Sequence, residues 1–454
     1  MSSPLFAAAL TAGKLCAALC RTFAKKRGSN LPGALALKLD PGFLDHVSGV
    51  DPEKTIFITG SNGKSTATNM VAHAFAAAGR SVCSNLEGAN MKAGAATALI
   101  KNTTAGGRFN KEYLILEVDE RSLASVAGAL KPGHICVTNI QKDQVQRNGD
   151  PDYIYQMIKS VVAGSSGLTL YVNNEEPRSK SLGSCLKSGS RAVSFGVAKN
   201  SRGPEADPVW EVTMPCPLCH DALSFDWYNL AGVGAFSCPA CGFSSAAAAD
   251  SLVTEADFDE GTFQARGHTF RLAYPAAFFL YNYALCLCVC TEFGISPGDL
   301  DKAFSTFENV SGRMESFLYA GKTIKYMRIK QENPETLQSA LDRAACDKCE
   351  KVFVLGPAVV DDIVPHYSNT FYTFDCDFGP LAESGVERCI CFGDTIALDT
   401  ANRLRYAGIP DERIEILDTD DDERILSAIS ACGTDNVYLI TWIKKYEKLK
   451  GRAG

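Results

Sequence analysis

The stretch Thr59-Gly60-Ser61-Asn62-Gly63-Lys64-Ser65-Thr66 decides the fold of the first half of this 454-residue chain. It follows an apolar run at 55–58, which predicts a buried strand, and it precedes a helical pattern. Glycines let backbone N–H groups point at an anion, and a helix start adds a favourable dipole. Lys64 can reach the β- and γ-phosphates of a nucleotide, and Ser65 or Thr66 can place a hydroxyl on Mg²⁺. The stretch therefore predicts a phosphate-binding loop, because a plain glycine–serine turn needs no lysine followed by two hydroxyls.

The spacing of this loop differs from the common phosphate-loop pattern. That pattern has a glycine five residues before Gly63, where this chain has Ile58. The shorter form T-G-x-N-G-K-S-T is a narrower signal. We assign nucleotide binding to Gly60, Asn62, Gly63, Lys64, Ser65 and Thr66.

Composition and charge indicate an ordinary globular protein. Hydrophobic residues make up 46% of the chain and charged residues 21%. The net charge of −7 argues against a nucleic-acid binder, whose surface would be basic. The 18 cysteines lie mostly in apolar runs, which predicts core residues in a reducing compartment. The length predicts about two to four domains.

The N-terminal segment does not have the pattern of a secretory signal. Residues 4–20 are apolar, but Lys14 interrupts them and a basic cluster follows them. A secretory signal has the opposite order, and the stretch is short for a membrane span. We expect an amphipathic helix here and a cytoplasmic protein.

Strand-like and helical patterns alternate from about residue 51 to 200, which predicts a doubly wound α/β domain with a parallel sheet. Composition then shifts to Gly, Pro and Cys between about 200 and 250. A second alternation after Gly312 predicts a smaller α/β domain. The predicted strands are 56–59, 113–118, 135–138 and 168–172 in the first domain and 353–355, 388–392, 414–417 and 437–440 in the second.

Carboxylates follow one of these strands, in Glu117-Val118-Asp119-Glu120. The carboxyl ends of parallel strands share one edge of a sheet, so these side chains can hold Mg²⁺ beside the phosphate loop. A solvated acidic turn is the alternative. Because the run ends an apolar strand, the pattern favours a metal role for Glu117 and leaves Asp119 and Glu120 undecided.

Two C-x-x-C pairs predict a structural metal site. Cys216 and Cys219 are separated from Cys238 and Cys241 by the 18 residues 220–237. This is the spacing of a four-cysteine zinc ribbon, and four ligands leave no open position for catalysis. Four packed thiols are the weaker alternative, because these cysteines lie among prolines and glycines. A further pair, Cys346 and Cys349, has no partner pair nearby, and we expect it to bind no metal.

Taken in order, the motifs resemble those of the Mur ligase superfamily. The zinc ribbon and the segment LDTANRLRYAGI at 398–409 narrow the resemblance to its MurT-like branch. The resemblance covers nearly the whole chain. The matching motifs are TGSNGKST at 59–66, EVDE at 117–120, TNIQKDQVQRNGD at 138–150, NNEEP at 173–177, YN at 281–282 and GRME at 312–315.

The resemblance implies a domain organisation. Residues 1–50 would pack on a central ATP-binding domain at 51–311, with the ribbon inserted at about 205–250. Residues 312–454 would form the C-terminal α/β domain. It also implies the cofactors ATP, Mg²⁺ and Zn²⁺.

The resemblance further implies the reaction. ATP would phosphorylate the α-carboxylate of D-glutamate in lipid II, and ammonia would convert the acyl phosphate to D-isoglutamine. A GatD-type glutamine amidotransferase would supply the ammonia. A cytoplasmic enzyme of this kind would act at the inner face of the membrane, where its lipid-linked substrate is anchored.

Several residue roles follow from the resemblance. Lys64 and Glu117 would serve phosphoryl transfer, with Ser65 and Glu117 holding Mg²⁺. Asn282 would contact the adenine, and Arg313 would clamp a phosphate. An aspartate of the last domain would complete the partner's active site.

The last domain departs from the family pattern, and this affects the choice of that aspartate. Residues 330–335 read KQENPE, and residues 360–367 lack the usual glycine and tryptophan. Asp361 is the candidate, with Asp362 next to it. A solvated acidic turn explains the two aspartates almost equally well.

Two alternative functions stay open. One is a Mur-type ligase that adds an amino acid directly, without a glutaminase. The zinc ribbon and the last domain argue against it, because amino-acid-adding ligases generally lack both. The other is a nucleotide- and zinc-binding scaffold without catalytic activity. The intact Lys64, Ser65 and Glu117 argue against that.

Overall fold

The chain folds as two compact units. The first comprises Met1–Gln141, Pro151–Ala206 and Thr213–Val310, and the second is formed mainly by Ser311–Gly454 together with Lys142–Asp150. The predicted boundaries near residues 50 and 311 stay a prediction. The computed structural model describes residues 4–23, 28–85, 89–143, 148, 150–203, 214–246, 248–274, 277–308, 314–330, 332–357, 370–393 and 396–453.

A nine-stranded sheet forms the centre of the first unit, in the order β11-β10-β9-β6-β5-β4-β1-β3-β2, and β7 and β8 form a separate hairpin. Pairings from β9 through β2 are parallel, whereas β10 and β11 are antiparallel. The predicted α/β class is therefore confirmed, with an antiparallel edge added. The strands are β1 Thr55–Thr59, β2 Val82–Ser84, β3 Tyr113–Glu117, β4 His134–Val137, β5 Thr169–Asn173, β6 Arg191–Val197, β7 Ser224–Leu230, β8 Val233–Ser237, β9 Ser251–Asp257, β10 Thr262–Ala265 and β11 His268–Arg271.

Helices cover both faces of this sheet. Successive side chains of a strand point to opposite faces, so Ile56 and Ile58 pack in one core cluster with α4 and α9, while Phe57 packs in the other with α5 and α6. Helix α9 is buried from Phe279 to Cys290, which explains why it is apolar on all sides. The helices are α1 Pro4–Phe23, α2 Leu31–Leu39, α3 Phe43–His46, α4 Lys64–Ala77, α5 Lys92–Lys101, α6 Glu120–Leu130, α7 Pro151–Gly164, α8 Pro177–Ser181, α9 Ala277–Glu292 and α10 Pro297–Thr306.

The second unit is a six-stranded sheet in the order β12-β13-β17-β14-β15-β16. Only β12 pairs antiparallel within the described strands of this sheet, and helices pack on both faces. This confirms the predicted C-terminal α/β architecture. The strands are β12 Met314–Tyr319, β13 Lys322–Arg328, β14 Lys351–Gly356, β15 Val386–Phe392, β16 Ile414–Leu417 and β17 Asn436–Thr441, and the helices are α11 Pro334–Cys346, α12 Gly379–Ala382, α13 Ile396–Tyr406, α14 Asp422–Ser430 and α15 Ile443–Ala453.

One helix among the described residues is long and apolar enough to cross a membrane by length and composition. It is the segment Pro4–Thr22 of α1, with a mean hydropathy of 1.3. One third of this segment (33%) is buried inside the fold. Core helices of soluble proteins and signal sequences meet the same two criteria.

Candidate functional site

The phosphate loop lies at the carboxyl end of β1, between β1 and α4. Gly60 and Gly63 have φ angles of +121° and +82°, which side-chain-bearing residues rarely adopt. A Cβ on Gly60 would lie 2.3 Å from Thr138 Oγ1, so only glycine fits there. The Ser61 amide donates to the Asn139 carbonyl at 2.8 Å, and the Asn62 amide donates to Asn139 Oδ1 at 2.9 Å. The residues after β4 thus hold the loop in shape.

Lys64 is held in a buried ion pair. Its ammonium lies 2.6 Å from Glu120 Oε1, and both side chains are less than a tenth exposed. The same ammonium donates to the carbonyls of Gly60 and Ser61, the latter at 3.1 Å. A buried charge needs a counter-charge and hydrogen bonds, and Glu120 with the loop carbonyls provides both. The sequence pattern left Glu120 undecided, and the geometry shows it to be the partner of Lys64.

The other carboxylates of this stretch have different surroundings. Glu117 is buried, and its Oε1 accepts from Asn90 Nδ2 at 3.0 Å. Asn85 fixes its backbone, accepting from the Glu117 amide at 2.9 Å and donating to the Glu117 carbonyl at 2.8 Å. Asp119 caps α6 by accepting from the Arg121 amide. A metal role for Glu117 remains a prediction, while Asp119 has a structural role in starting a helix.

Three buried polar atoms in or beside the loop have no hydrogen-bond partner among the described residues. They are Thr59 Oγ1, Thr66 Oγ1 and Asn282 Nδ2. Asn282 lies against the loop, because a Cβ on Gly63 would be 2.5 Å from its Oδ1. A buried polar group without a partner costs about 1–3 kcal/mol, so a ligand that supplies acceptors here would be stabilised. The site therefore fits a phosphate-bearing ligand, while the predicted contact of Asn282 with adenine stays a prediction.

Ser65 is half-buried at the start of α4, next to Lys64. Its role as a Mg²⁺ ligand stays a prediction. Arg313, Asp361 and Asp362 lie outside the described residues. Their predicted roles stay predictions.

The four cysteines of the predicted ribbon come together at the base of the β7–β8 hairpin. Their sulfur atoms all lie within 4.8 Å of one another, with Cys216 and Cys241 3.7 Å apart and Cys219 and Cys238 3.5 Å apart. Tetrahedral ligation at about 2.3 Å per bond requires sulfur separations of about 3.8 Å. The geometry therefore fits a four-coordinate metal, and zinc is the predicted ion.

The two C-x-x-C turns have the same backbone pattern. The amide of His220 donates to the Cys216 carbonyl at 2.9 Å, and the amide of Gly242 donates to the Cys238 carbonyl at 3.0 Å. The backbone N–H of Cys241 contributes most to lowering the pKa of Cys238 to about 7. A lowered thiol pKa favours the thiolate, the form that binds metal, at Cys238, whereas the pKa values of Cys219 and Cys241 are raised, despite a backbone N–H at each, by desolvation and by the neighbouring thiols.

The hairpin that carries the cysteines is linked to the phosphate loop through Gln141. Gln141 Nε2 donates to the Ala231 carbonyl at the hairpin tip at 3.1 Å, and Gln141 Oε1 accepts from Asn62 Nδ2 at 3.3 Å. Asn229 Nδ2 donates to the hydroxyl of Tyr281 at 3.1 Å, next to Asn282 on α9. The sequence pattern indicated no link between the cysteine pairs and the phosphate loop, because this link depends on contacts between segments that are distant in the chain.

Comparisons with known proteins agree with this geometry. A family model of the Mur ligase middle domain matches residues 58–212, and a model of the MurT ligase C-terminal domain matches residues 331–443. The lipid II isoglutaminyl synthase (glutamine-hydrolyzing) subunit MurT of Staphylococcus aureus (strain COL) is 27% identical over 85% of this chain and 84% of its own. The subunit MurT of Streptococcus pneumoniae (strain ATCC BAA-255 / R6) is 24% identical over 91% and 90%.

The chain is a MurT-like member of the Mur ligase family.

A solved structure has a similar fold. The pseudomurein peptide ligase type C of Methanothermus fervidus superposes with a TM-score of 0.65 at 16% identity, covering 88% of this chain and 79% of that one. At this sequence identity, the similarity shows a shared fold and nothing more. The MurT-like chain is thus an ATP-dependent ligase of Mur type with a role in peptidoglycan synthesis. ATP and Mg²⁺ are the cofactors of this family.

The cysteine cluster of the MurT-like chain generates a testable prediction. We expect the purified protein to bind about one zinc ion, and Cys216→Ser to lose it because one of four thiolate ligands is removed. The measurement is metal content by inductively coupled plasma mass spectrometry. Cys346→Ser is the control, since Cys346 is exposed and lies outside the cluster. Full metal content in Cys216→Ser, or equal loss in both variants, would contradict the assignment.

Proposed function

We propose that the chain is the ligase subunit that amidates the D-glutamate α-carboxylate of lipid II, using ammonia from a GatD-type glutaminase. The buried Lys64–Glu120 pair inside a glycine-rich loop is the observation that carries the ATP-dependent step. The curated relatives, which are named as subunits of a glutamine-hydrolyzing synthase, support the ammonia-dependent step. The proposed cofactors are ATP, Mg²⁺ and a structural Zn²⁺.

The proposed reaction has two steps. An oxygen of the carboxylate attacks the γ-phosphorus of ATP, the bond to the ADP oxygen breaks, and ADP leaves. The nitrogen of ammonia then attacks the acyl carbon, the carbon–oxygen bond to phosphate breaks, and the nitrogen loses a proton. Phosphoryl transfer of this kind needs positioning and charge stabilisation rather than a protein nucleophile.

The residues of the loop provide that stabilisation. The ammonium of Lys64 would lie against the transferred phosphate, and the loop amides would point at the same charge. Ser65 and Glu117 would hold Mg²⁺, which neutralises the phosphate oxygens when bound. Asn282 Nδ2 would donate to the nucleotide.

Glu120 has a specific part in this proposal. Glu120 neutralises Lys64 when no nucleotide is bound. When ATP binds, its phosphates would compete with Glu120 for the Lys64 ammonium. A buried ammonium left without its carboxylate is destabilising by about 3–5 kcal/mol, so Glu120 keeps the site charged and ready for phosphate. Asp119, which caps the same helix, positions Glu120 at the first residue of α6.

The alternative reading is a ligase that joins an amino acid to its substrate directly. The fold neighbour that is a peptide ligase favours it, but at 16% identity the likeness concerns the fold alone. The match of residues 331–443 to the MurT ligase C-terminal domain favours the glutaminase-coupled reaction. A scaffold without chemistry is disfavoured because Lys64, Ser65 and Glu117, the residues proposed to serve phosphoryl transfer, are all present.

The decisive experiment is purification with a GatD-type partner and incubation with lipid II, ATP and glutamine. We expect mass spectrometry to show one carboxyl of lipid II converted to an amide, a mass decrease of about 1 Da, while ADP and phosphate are released. Lys64→Ala should lower this rate by about a hundredfold or more, because it removes charge stabilisation from the transferred phosphate. Turnover with a free amino acid, but not with glutamine or ammonia, would contradict the proposal.

A separate prediction concerns the aspartate that would complete the partner's active site. Asp361→Asn should lower glutamine-driven amidation while ammonium-driven amidation continues, because the ligase step does not need the glutaminase. Asp362→Asn is the matched control. The measurement is the ratio of the two rates in each variant. If the ratio changes for Asp362→Asn alone, that residue has the role, and if it changes for neither, the assignment is wrong.

We also propose that the protein works at the inner face of the membrane. Lipid II is anchored in lipid, so a ligase that modifies its stem peptide must approach the bilayer surface.

A further inference from the structure

Helix α1 has two different faces. Phe6, Ala9, Leu10, Ala17 and Cys20 are buried against the first unit. Leu15 and Leu19, by contrast, are 62% and 61% exposed, and they lie four residues apart on the opposite face. Ala8, Ala12 and Thr22 share this outer face by helical spacing, so it carries no charged side chain.

The inner face fixes α1 to the protein. The Phe6 ring lies 5.3 Å from the Phe43 ring, and Lys14 donates to the Thr103 carbonyl. Gly13 lies so close to α5 that a Cβ there would be 2.7 Å from Ile100 Cδ1. Removing the helix would expose this part of the core to water, so apolar burial stabilises α1 in its packed position. Its outer face stays available.

Exposed apolar side chains are concentrated in this part of the chain. Of the twelve large hydrophobic residues that are exposed in the described structure, five belong to α1 and the neighbouring α2. Single exposed leucines are common, but their concentration in two helices that pack on each other is typical of interaction surfaces. The five are Leu5, Leu15, Leu19, Leu31 and Leu39.

The charge of the same segment is opposite to that of the whole protein. Residues 1–39 contain no Asp or Glu, although the net charge of the chain is −7. Arg21 and Lys38 are exposed at the ends of α1 and α2. The basic residues of the segment are Lys14, Arg21, Lys25, Lys26, Arg27 and Lys38.

We propose that the outer face of α1 docks on an anionic phospholipid surface. Leu15 and Leu19 would enter the boundary between headgroups and acyl chains, and Arg21 would pair with lipid phosphates. Each Lys or Arg near such a surface adds to the attraction. A second copy of this chain is the less favourable occupant, because Arg21 and Lys38, the exposed basic side chains at the ends of α1 and α2, would approach their equivalents in the other copy.

This inference extends the proposed function by giving the ligase a surface toward the membrane, but it requires neither the proposed substrate nor the partner. Its test is co-sedimentation of the full chain with vesicles, without ATP, lipid II or glutaminase. Vesicles of phosphatidylcholine are compared with vesicles that also contain phosphatidylglycerol. We expect binding to the anionic vesicles only, weakening as salt is added.

The double variant Leu15→Ser/Leu19→Ser should bind anionic vesicles at least about tenfold more weakly, since two apolar anchors are lost. Leu318→Ser is the matched control, because Leu318 is a 73% exposed leucine of the second unit. Thermal unfolding checks that each variant is folded. The proposal is overturned if the double variant binds like the unmodified chain, or if both variants lose binding equally. It is also overturned if sedimentation velocity shows that the leucines mediate self-association instead.

Discussion

The buried ion pair between Lys64 and Glu120 is the interaction on which the nucleotide site depends. Its two partners come from different parts of the chain, and they meet only because β1 and β3 are neighbours in a parallel sheet. The carboxyl ends of such strands share one edge, so the loop after β1 and the helix start after β3 are brought together there. The loop after β4 reaches the same edge and holds Ser61 and Asn62. The sheet therefore builds the site from three loops, each attached to a rigid strand.

The cysteine ribbon is not a separate structural module, because its hairpin is linked to both sides of the site. Gln141 joins the hairpin tip to Asn62, and Asn229 joins it to Tyr281 on α9. Glu175 strengthens this link, because its carbonyl accepts from the Gly234 amide of β8. Its carboxyl group lies in the interior, where burial raises its pKa to about 7. A metal at the ribbon would thus stabilise a hairpin that supports the phosphate loop.

Local patterns in the sequence are sufficient to predict much of the fold and part of the site. Buried parallel strands are continuous apolar runs, so β1, β3, β4 and β5 were predicted, and the two C-x-x-C pairs identified their own cluster. Segments without such a signal were missed. Strand β2 has only three residues, and β9 to β11 mix exposed and buried side chains at the sheet edge. The role of Glu120 could not be predicted, since a pair 56 residues apart depends on which strands become neighbours. The two faces of α1 likewise required knowledge of what packs against it.

In the proposed reaction, carboxylate activation by ATP connects the phosphate loop to amide formation. Oxygen-isotope transfer tests it most directly. Lipid II labelled with ¹⁸O in the α-carboxylate of D-glutamate is amidated by the complex, and the released phosphate is analysed by mass spectrometry. We expect ¹⁸O from the carboxylate in inorganic phosphate, because the bridging oxygen of the acyl phosphate leaves with the phosphate. ATP hydrolysis that accompanies amidation but leaves the phosphate unlabelled, or label found in AMP, would contradict it.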